Sequence, residues 1–253
     1  MADSFVGKVA LITGAGSGMG RAMGFGFADK GATVAAVDIN PDAAAATAKS
    51  IVDAGGAAIG LSGDVSDASS VATFAGTALR ELGRVDILCN NAGILDDYKP
   101  AADTTEELWD RILAVNLKGM FLVSRALIPQ MLENGAGVII NTASIAGLVA
   151  GGGGAAYTAS KHGVIGFTRQ LAFDYGRRGI RANAICPGAI ETGMTRDILS
   201  DPNAAVMELV NAVPAGRHGQ PEEVAKLAIY LAGESASFIH GAVMVIDGGW
   251  TVS

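Results

Sequence analysis

The sequence predicts an α/β fold in which one parallel sheet is covered by helices on both faces. Seven short runs rich in Val, Ile and Leu recur along the 253 residues, and segments of helical length separate most of them. Strands that alternate with helices imply right-handed crossover connections, which place helices on the two faces of a parallel sheet. Half of the residues are apolar and 17% are charged, a composition typical of a well-buried globular protein.

The predicted strands are short apolar runs with many β-branched residues. They begin, in chain order, at Val9, Thr33, Ala57, Val85, Gly137, Ile180 and Ala242. The predicted helices cover residues 20–30, 41–54, 67–82, 104–134, 155–178 and 221–232. Thr104 and Thr105 precede two glutamates, and Pro221 is followed by two more, so both helix starts carry a typical capping pattern.

The chain is predicted to form a single domain over residues 1–253. No Pro/Ser-rich linker, charge block or break in the pattern divides it. The formal net charge of -7 disfavours sequence-independent electrostatic binding to a phosphate backbone, so nucleic acid is not expected as a partner.

A cytoplasmic location is predicted, without a membrane span. The first ten residues lack a basic region followed by an apolar core. Residues 138–160 carry no charge, yet Gly, Ser, Thr and Asn crowd this stretch, so we interpret it as protein interior. Cys89 and Cys186 each end an apolar run, and we expect both to be reduced and buried.

A glycine-rich turn, TGAGSGMG, follows the first predicted strand from Thr13 to Gly20. It departs from the pattern G-x-G-x-x-G because Met19 stands where a glycine is needed. A strand that turns into a helix through glycines nevertheless lets backbone N–H groups approach a pyrophosphate. By itself this turn is also compatible with a purely structural role.

Asp38 ends the second strand, twenty residues beyond Gly18. A carboxylate there accepts hydrogen bonds from the adenosine ribose of a dinucleotide, and it repels a 2′-phosphate. No Arg or Lys stands within the glycine turn or directly after Asp38. The pattern therefore favours NAD over NADP. The alternative role for Asp38 is that of an ordinary solvated residue at the end of a strand, without a ligand.

Four separated motifs and two isolated residues resemble those of the short-chain dehydrogenase/reductase family, in their usual order. They are TGAGSGMG from Thr13, CNNAG from Cys89, an isolated Asn116 and Ser144, YTASK from Tyr157, and the pair Pro187-Gly188. The resemblance runs across almost the whole chain. It implies a seven-stranded Rossmann-type, doubly wound sheet, a nicotinamide cofactor, hydride exchange between an alcohol and a carbonyl, and commonly a homotetramer.

The resemblance also implies roles for individual residues. The catalytic residues would be Asn116, Ser144, Tyr157 and Lys161. The cofactor-binding residues would be Gly14, Ser17, Gly18, Met19, Asp38, Asp64, Val65, Asn91, Ala92, Gly93, Tyr157, Lys161, Pro187, Gly188, Ile190 and Thr192. Asn116 would hold a water that links Lys161 to solvent.

The stretch GGGGAAYTASK places Tyr157 and Lys161 four residues apart on a predicted helix. Residues at this spacing lie on one face, with Cβ atoms about 5 to 6 Å apart. We expect the ammonium of Lys161 to lower the pKa of the Tyr157 phenol from about 10 by roughly 3 units, so that Tyr157 exchanges a proton with the substrate oxygen. Ser144 would stabilise the charge on that oxygen. A tyrosine and a lysine at this spacing, without the other motifs, are ordinarily a packed aromatic residue and a solvated cation.

Residues 188–219 are interpreted as a lid over the substrate. Met194, Ile198, Leu199, Met207 and Val210 would form its apolar face, and Leu95, Leu148 and Val149 would join that wall. A largely apolar secondary alcohol or ketone is therefore expected, although packing between subunits would explain the same residues. No metal site is predicted, since the three histidines show no ligand spacing.

Two classes of function remain at this point. The first is an NAD-dependent alcohol dehydrogenase or ketoreductase, with a 3-oxoacyl thioester reductase as a related enzyme. The second is a non-catalytic NAD-sensing protein on the same fold, which would have little use for the complete set of Asn116, Ser144, Tyr157 and Lys161.

Overall fold

The computed structural model describes residues 4–195 and 213–252. These residues contain a seven-stranded parallel sheet with strand order β3-β2-β1-β4-β5-β6-β7. The strands are β1 (Val9–Thr13), β2 (Thr33–Asp38), β3 (Ala57–Ser62), β4 (Ile87–Asn90), β5 (Gly137–Thr142), β6 (Ile180–Pro187) and β7 (Val243–Ile246). The predicted fold class, a doubly wound sheet of Rossmann type, is thereby confirmed.

Helices connect the parallel strands and cover the sheet. They are α1 (Gly18–Asp29), α2 (Pro41–Asp53), α3 (Ala68–Leu82), α4 (Glu106–Leu113), α5 (Gly119–Glu133), α6 (Ala155–Tyr175) and α7 (Pro221–Ala232). Capping fixes several starts: the Asn40 side chain accepts the N–H groups of Asp42 and Ala43, and Thr105 accepts that of Leu108. Residues 196–212, which include most of the predicted lid, lie outside the described residues.

The core consists of two apolar layers, one on each face of the sheet. Alternate residues of β1 belong to different layers: Ile12 packs with Phe27 of α1, and Leu11 packs with Phe74 of α3. This alternation follows from the pleat, which turns successive side chains to opposite faces. Both layers are nearly free of solvent, so the strand ends are held at fixed positions.

The segment predicted as one helix over 104–134 is divided by a π-helical turn, Ala114–Lys118. This turn joins α4 to α5 and carries Asn116 into the interior. The whole stretch Glu106–Glu133 is long and apolar enough to pass a membrane-span test, but half of its most apolar window is buried inside the protein. It is packed as a core helix between α3, α6 and the sheet.

The strand order reverses at the neighbouring strands β1 and β4. The chain first runs outward from β1 through β2 to β3, and then returns to the other side of β1 with β4. The loops that follow β1 and β4 therefore diverge and leave a crevice at the carboxyl ends of the strands, the usual ligand position in such sheets.

Candidate active site

The glycine turn is shaped by close backbone contacts. Gly14 has a positive φ of 66°, and a Cβ atom there would lie 3.0 Å from the Cα of Ala92. A Cβ atom at Gly20 would lie 2.1 Å from the Gly14 carbonyl oxygen. The turn therefore folds back on the start of α1, and its glycines leave a cradle at a helix N-terminus that fits a pyrophosphate.

The stretch after β4 lies against this turn. The Thr13 hydroxyl accepts the N–H groups of Asn91 at 3.0 Å and Ala92 at 3.1 Å, and the Asn91 amide donates to the Thr13 carbonyl at 3.1 Å. These bonds hold residues 91–93 beside the glycine turn. Gly93 continues towards the other end of the crevice, where its hypothetical Cβ would lie 3.6 Å from Lys161 Nζ.

Asp38 is bonded to the glycine turn at the end of β2. One carboxylate oxygen accepts the Gly16 N–H at 2.8 Å, and the other accepts the Asn40 N–H at 3.0 Å. Both bonds orient the half-buried carboxylate, which distinguishes it from a freely solvated strand end. Asp64 and Val65 follow the neighbouring strand β3; Asp64 accepts the N–H and hydroxyl of Ser66, and Val65 is buried.

Residues after β6 close the crevice on its other side. A Cβ atom on Gly18 would lie 3.1 Å from Cγ2 of Thr192, so the segment carrying Thr192 touches the beginning of α1. Ile190 forms a parallel bridge with Gly219, which joins the two ends of the segment predicted as a lid. Ser17, at the N-cap of α1, makes no side-chain capping bond.

Tyr157 and Lys161 lie on the same face of α6, as their spacing predicts. The Lys161 ammonium is 5.4 Å from the centre of the Tyr157 ring and donates to the Thr142 carbonyl at 2.8 Å. Lys161 is almost fully buried, with 3% of its surface exposed. Burial lowers the pKa of Lys161 to about 8.

The expected lowering of the Tyr157 pKa is wrong for this structure. Burial raises the pKa of Tyr157 to about 12, against a smaller opposite effect of its hydrogen bond with Ser144. Loss of solvation of the phenolate is the dominant cause, although the Lys161 ammonium lies 5.4 Å from the centre of the ring. The sequence gives the position of the cation but not the desolvation of the phenol.

Ser144 lies directly after β5, close to Tyr157. Its hydroxyl accepts the Ala146 N–H at 3.1 Å and so caps the short helical turn Ile145–Gly147. The Cys186 thiol, at the end of β6, faces the same group of side chains, and burial raises its pKa to about 11. Both cysteines are free and buried, as expected from the sequence.

Asn116 is fully buried, and its amide is joined to the loop after β4. The Ile94 N–H donates to its oxygen at 2.8 Å, while its nitrogen donates to the Ile94 carbonyl at 3.0 Å and the Ser160 hydroxyl at 3.2 Å. The π-helical turn aims this side chain into the interior, and such turns recur at functional sites. The water expected beside Asn116 stays a prediction.

An apolar pocket opens beside Tyr157. Its described lining contains hydroxyl groups and apolar surface but no charged side chain: Met19, Leu95, Tyr98, Ala143, Ser144, Ile145, Gly151, Gly152, Tyr157, Pro187, Gly188, Ala189, Ile190, Thr192, Met194, Thr195 and Trp250. Leu95 and Met194 line it as expected, whereas Leu148 and Val149 do not and are more than a third exposed.

Sequence reasoning missed Tyr98 and Trp250, which bring two aromatic rings to the pocket from a loop and from the chain's end. Neither position carries a sequence signal beyond its aromatic residue. The described residues hold no group of three or more His, Cys, Asp or Glu arranged for a metal ion. His218 pairs instead with Glu191, at 3.1 Å.

Comparisons with known proteins extend over the whole chain. Residues 14–251 match a family model described as "Enoyl-(Acyl carrier protein) reductase". The chain is 43% identical to D-threitol dehydrogenase of Mycolicibacterium smegmatis over 97% of its length and 94% of that protein. It is 40% identical to 3beta-hydroxysteroid dehydrogenase 2 of Eggerthella lenta over 97% of its length and 95% of that protein.

A solved structure has the same fold at full coverage. The crystal structure of a putative NAD(P) dependent gluconate 5-dehydrogenase from Beutenbergia cavernae, with bound NADP at low occupancy, superposes with a TM-score of 0.93 and 38% identity. The alignment covers all of both chains.

Proposed function

Because this chain belongs to the short-chain dehydrogenase/reductase family, and is an oxidoreductase of the kind that acts on alcohols and ketones, we propose that it is an NAD(H)-dependent enzyme that interconverts a secondary alcohol and a ketone. The observation that carries the proposal is that Ser144 and Tyr157 line one apolar pocket next to the glycine turn, while the buried Lys161 ammonium lies 5.4 Å from the centre of the Tyr157 ring.

Tyr157 transfers the proton in this proposal. Tyr157 lines the pocket, and a pKa of about 12 keeps its hydroxyl protonated at neutral pH, ready to donate a proton to the oxygen of a ketone. Alcohol oxidation requires the same group to accept a proton. Ser144 shares a hydrogen bond with the reacting oxygen and stabilises the charge that develops there. The nicotinamide, when bound, supplies the acceptor or donor of the hydride.

Lys161 and Asn116 support Tyr157 from the interior. The Lys161 ammonium is held in place by its hydrogen bond to the Thr142 carbonyl. It lies near both the phenol and Gly93, so a cofactor ribose placed beside Gly93 would be within its reach. Asn116 forms two hydrogen bonds with the backbone of Ile94 and thereby fixes the loop after β4. We assign these two residues to the positioning of the proton donor and of the cofactor ribose.

The cofactor is held by the residues that line the crevice. Gly14, Ser17, Gly18 and Met19 would cradle the pyrophosphate, and Asp38 would accept the adenosine ribose hydroxyls. Asp64, Val65, Asn91, Ala92 and Gly93 would flank the adenosine, and Pro187, Gly188, Ile190 and Thr192 the nicotinamide. The oriented carboxylate of Asp38 supports NAD, although a relative of known structure carries NADP.

A neutral, largely apolar substrate fits the pocket. The described lining offers hydroxyl groups from Tyr98, Ser144 and Thr192 but no charge to pair with a carboxylate or phosphate. The names of two relatives, a D-threitol and a 3beta-hydroxysteroid dehydrogenase, refer to uncharged alcohols. A 3-oxoacyl thioester reductase is the second candidate, favoured by 39% identity to a protein of Thermotoga maritima that is named 3-oxoacyl-[acyl-carrier-protein] reductase.

We also retain as predictions a single domain over 1–253 with a lid over 188–219, a homotetramer and a cytoplasmic location. The exposed aromatic rings of Trp109 and Phe121, on the neighbouring helices α4 and α5, support an association surface.

A panel of secondary alcohols, ketones, 3-oxoacyl thioesters and charged hydroxy acids, assayed by the absorbance of the reduced nicotinamide with NAD and with NADP, tests the proposal. We expect turnover of neutral secondary alcohols and their ketones, with NAD preferred. Activity confined to small charged hydroxy acids would contradict the substrate proposal, and a marked preference for NADP would contradict the role of Asp38.

A further inference from the structure

The loop after β4 carries a charged residue with no exposed surface. Asp96 is 0% exposed, although it lies between pocket-lining Leu95 and exposed Asp97. Its carboxylate accepts the Gly154 N–H and the Tyr157 N–H, each at 2.8 Å. A buried carboxylate is stable only with such partners, and both are backbone groups at the beginning of α6.

The first turn of α6 depends on this loop for its hydrogen bonds. The first N–H groups of a helix have no partner within the helix, and Gly154, the N-cap residue, has no side chain to supply one. Asp96 accepts two of these N–H groups, and the Lys99 carbonyl accepts that of Ala155 at 3.0 Å. The loop thus replaces the cap that the glycine-rich segment lacks.

The loop is bent specifically to reach α6. Asp97 and Tyr98 have positive φ values of 52° and 57°, in a region that residues other than glycine rarely adopt. This double turn lets the Lys99 N–H donate to the Asp96 carbonyl at 3.1 Å. A Cβ atom on Gly154 would lie 2.6 Å from the Asp96 carboxylate, so the glycine permits the approach.

We propose that Asp96 is a positioning residue for the reaction: by holding the first turn of α6 through the backbone of Tyr157 itself, it fixes the phenol relative to Ser144 and Lys161. The same loop is bonded to Asn116 through Ile94 and brings Tyr98 into the pocket. One loop therefore connects three parts of the site. The inference rests on the proposed function, since it names a support for the proton donor.

The charge of Asp96 also acts on the phenol. Burial is the main cause that raises the pKa of Tyr157, and Tyr98 and Asp96 from this loop and Cys186 from β6 add to the increase; Ser144 opposes it, and Lys161 lies on the same helix face. Removal of the negative charge therefore lowers the pKa of Tyr157. An uncharged residue that only capped the helix would not produce that change.

The substitution Asp96→Asn removes the charge and one acceptor, and Asp97→Asn is the matched control because Asp97 is the exposed acidic neighbour. We expect Asp96→Asn to lower kcat by at least about tenfold, with the Kd for NADH within about twofold of the unmodified protein. The acidic limb of the pH profile for alcohol oxidation should move to lower pH. Unchanged kcat and an unchanged limb would overturn the proposal.

Hydrogen exchange, resolved to single amides by NMR, gives a readout without turnover. The Tyr157 N–H has no partner within the helix, so its protection in the unmodified protein reports the bond to Asp96. We expect protection that is lost in Asp96→Asn and kept in Asp97→Asn. Rapid exchange in the unmodified protein would overturn the proposal even if Asp96→Asn fails to fold. A protein that turned over no alcohol or ketone but protected this amide would instead contradict the proposed function alone.

Discussion

Replacing Asp38 with Asn should change the choice of cofactor. The substitution keeps an acceptor oxygen for the Gly16 or Asn40 N–H and removes the negative charge. A 2′-phosphate at about 4 Å from that charge is repelled by about 1 kcal/mol per charge pair in water and by about 4 kcal/mol at an effective dielectric of 20. Asp38 is half-buried, so the value lies between these limits.

An intermediate repulsion of about 2.7 kcal/mol corresponds to roughly a hundredfold change in the ratio of kcat/KM for NADP to that for NAD. The assay measures this ratio for one alcohol at fixed ionic strength, because salt screens part of the repulsion. Asp42→Asn is the control, since Asp42 is an exposed acid in the first turn of α2. A ratio that stays within about threefold in Asp38→Asn would refute the electrostatic reasoning.

Two further predictions follow from burial and from close packing. Because the pKa of Lys161 is lowered to about 8, the folded protein binds fewer protons than the unfolded chain above that pH, and stability gains up to about 3 kcal/mol between pH 8 and 10.5. The free energy of unfolding in urea should show this gain for the unmodified protein but not for Lys161→Met. If the two free energies differed by the same amount at every pH in this range, the burial of the charge would be contradicted. Gly20→Ala, whose Cβ would lie 2.1 Å from the Gly14 carbonyl oxygen, should weaken NADH binding in a fluorescence titration by at least about tenfold. In the control Gly24→Ala the new Cβ atom would have no neighbour outside its own helix nearer than 3.5 Å, so NADH affinity should be unchanged and α1 stabilised by about 0.5–1 kcal/mol. Equal NADH affinities of the Gly20→Ala and Gly24→Ala proteins would contradict the role of the turn.

The fold was predictable because its signals are local and repeated. Each strand is a short apolar run, and parallel pairing requires the intervening helices. The boundaries shift by a few residues: α1 begins at Gly18 rather than at residue 20, and β4 begins at Ile87 rather than at Val85. The π-helical turn at Asn116 was not predictable from periodicity, because the turn Ala114–Lys118 is much shorter than the window of about 11 to 18 residues over which an apolar period is recognised.

The site was predictable where spacing along one element decides the geometry. Tyr157 and Lys161 share a face because they lie four residues apart on one helix. The contribution of Asp96 was not predictable in this way, since it depends on two consecutive left-handed residues and on a contact across 61 positions of the chain. The raised pKa of Tyr157 was not predictable for a related reason: the desolvation of the phenol depends on all the groups that pack around it.

Replacing Tyr157 with Phe tests most directly whether its hydroxyl carries the proton. We expect kcat for a neutral secondary alcohol to fall by about a thousandfold, within the usual range for loss of a general acid or base, while the Kd for NADH stays within about threefold. Tyr175→Phe, the same change at the other end of α6, should leave both quantities unaltered. A Tyr157→Phe protein that kept its kcat would contradict proton transfer by Tyr157.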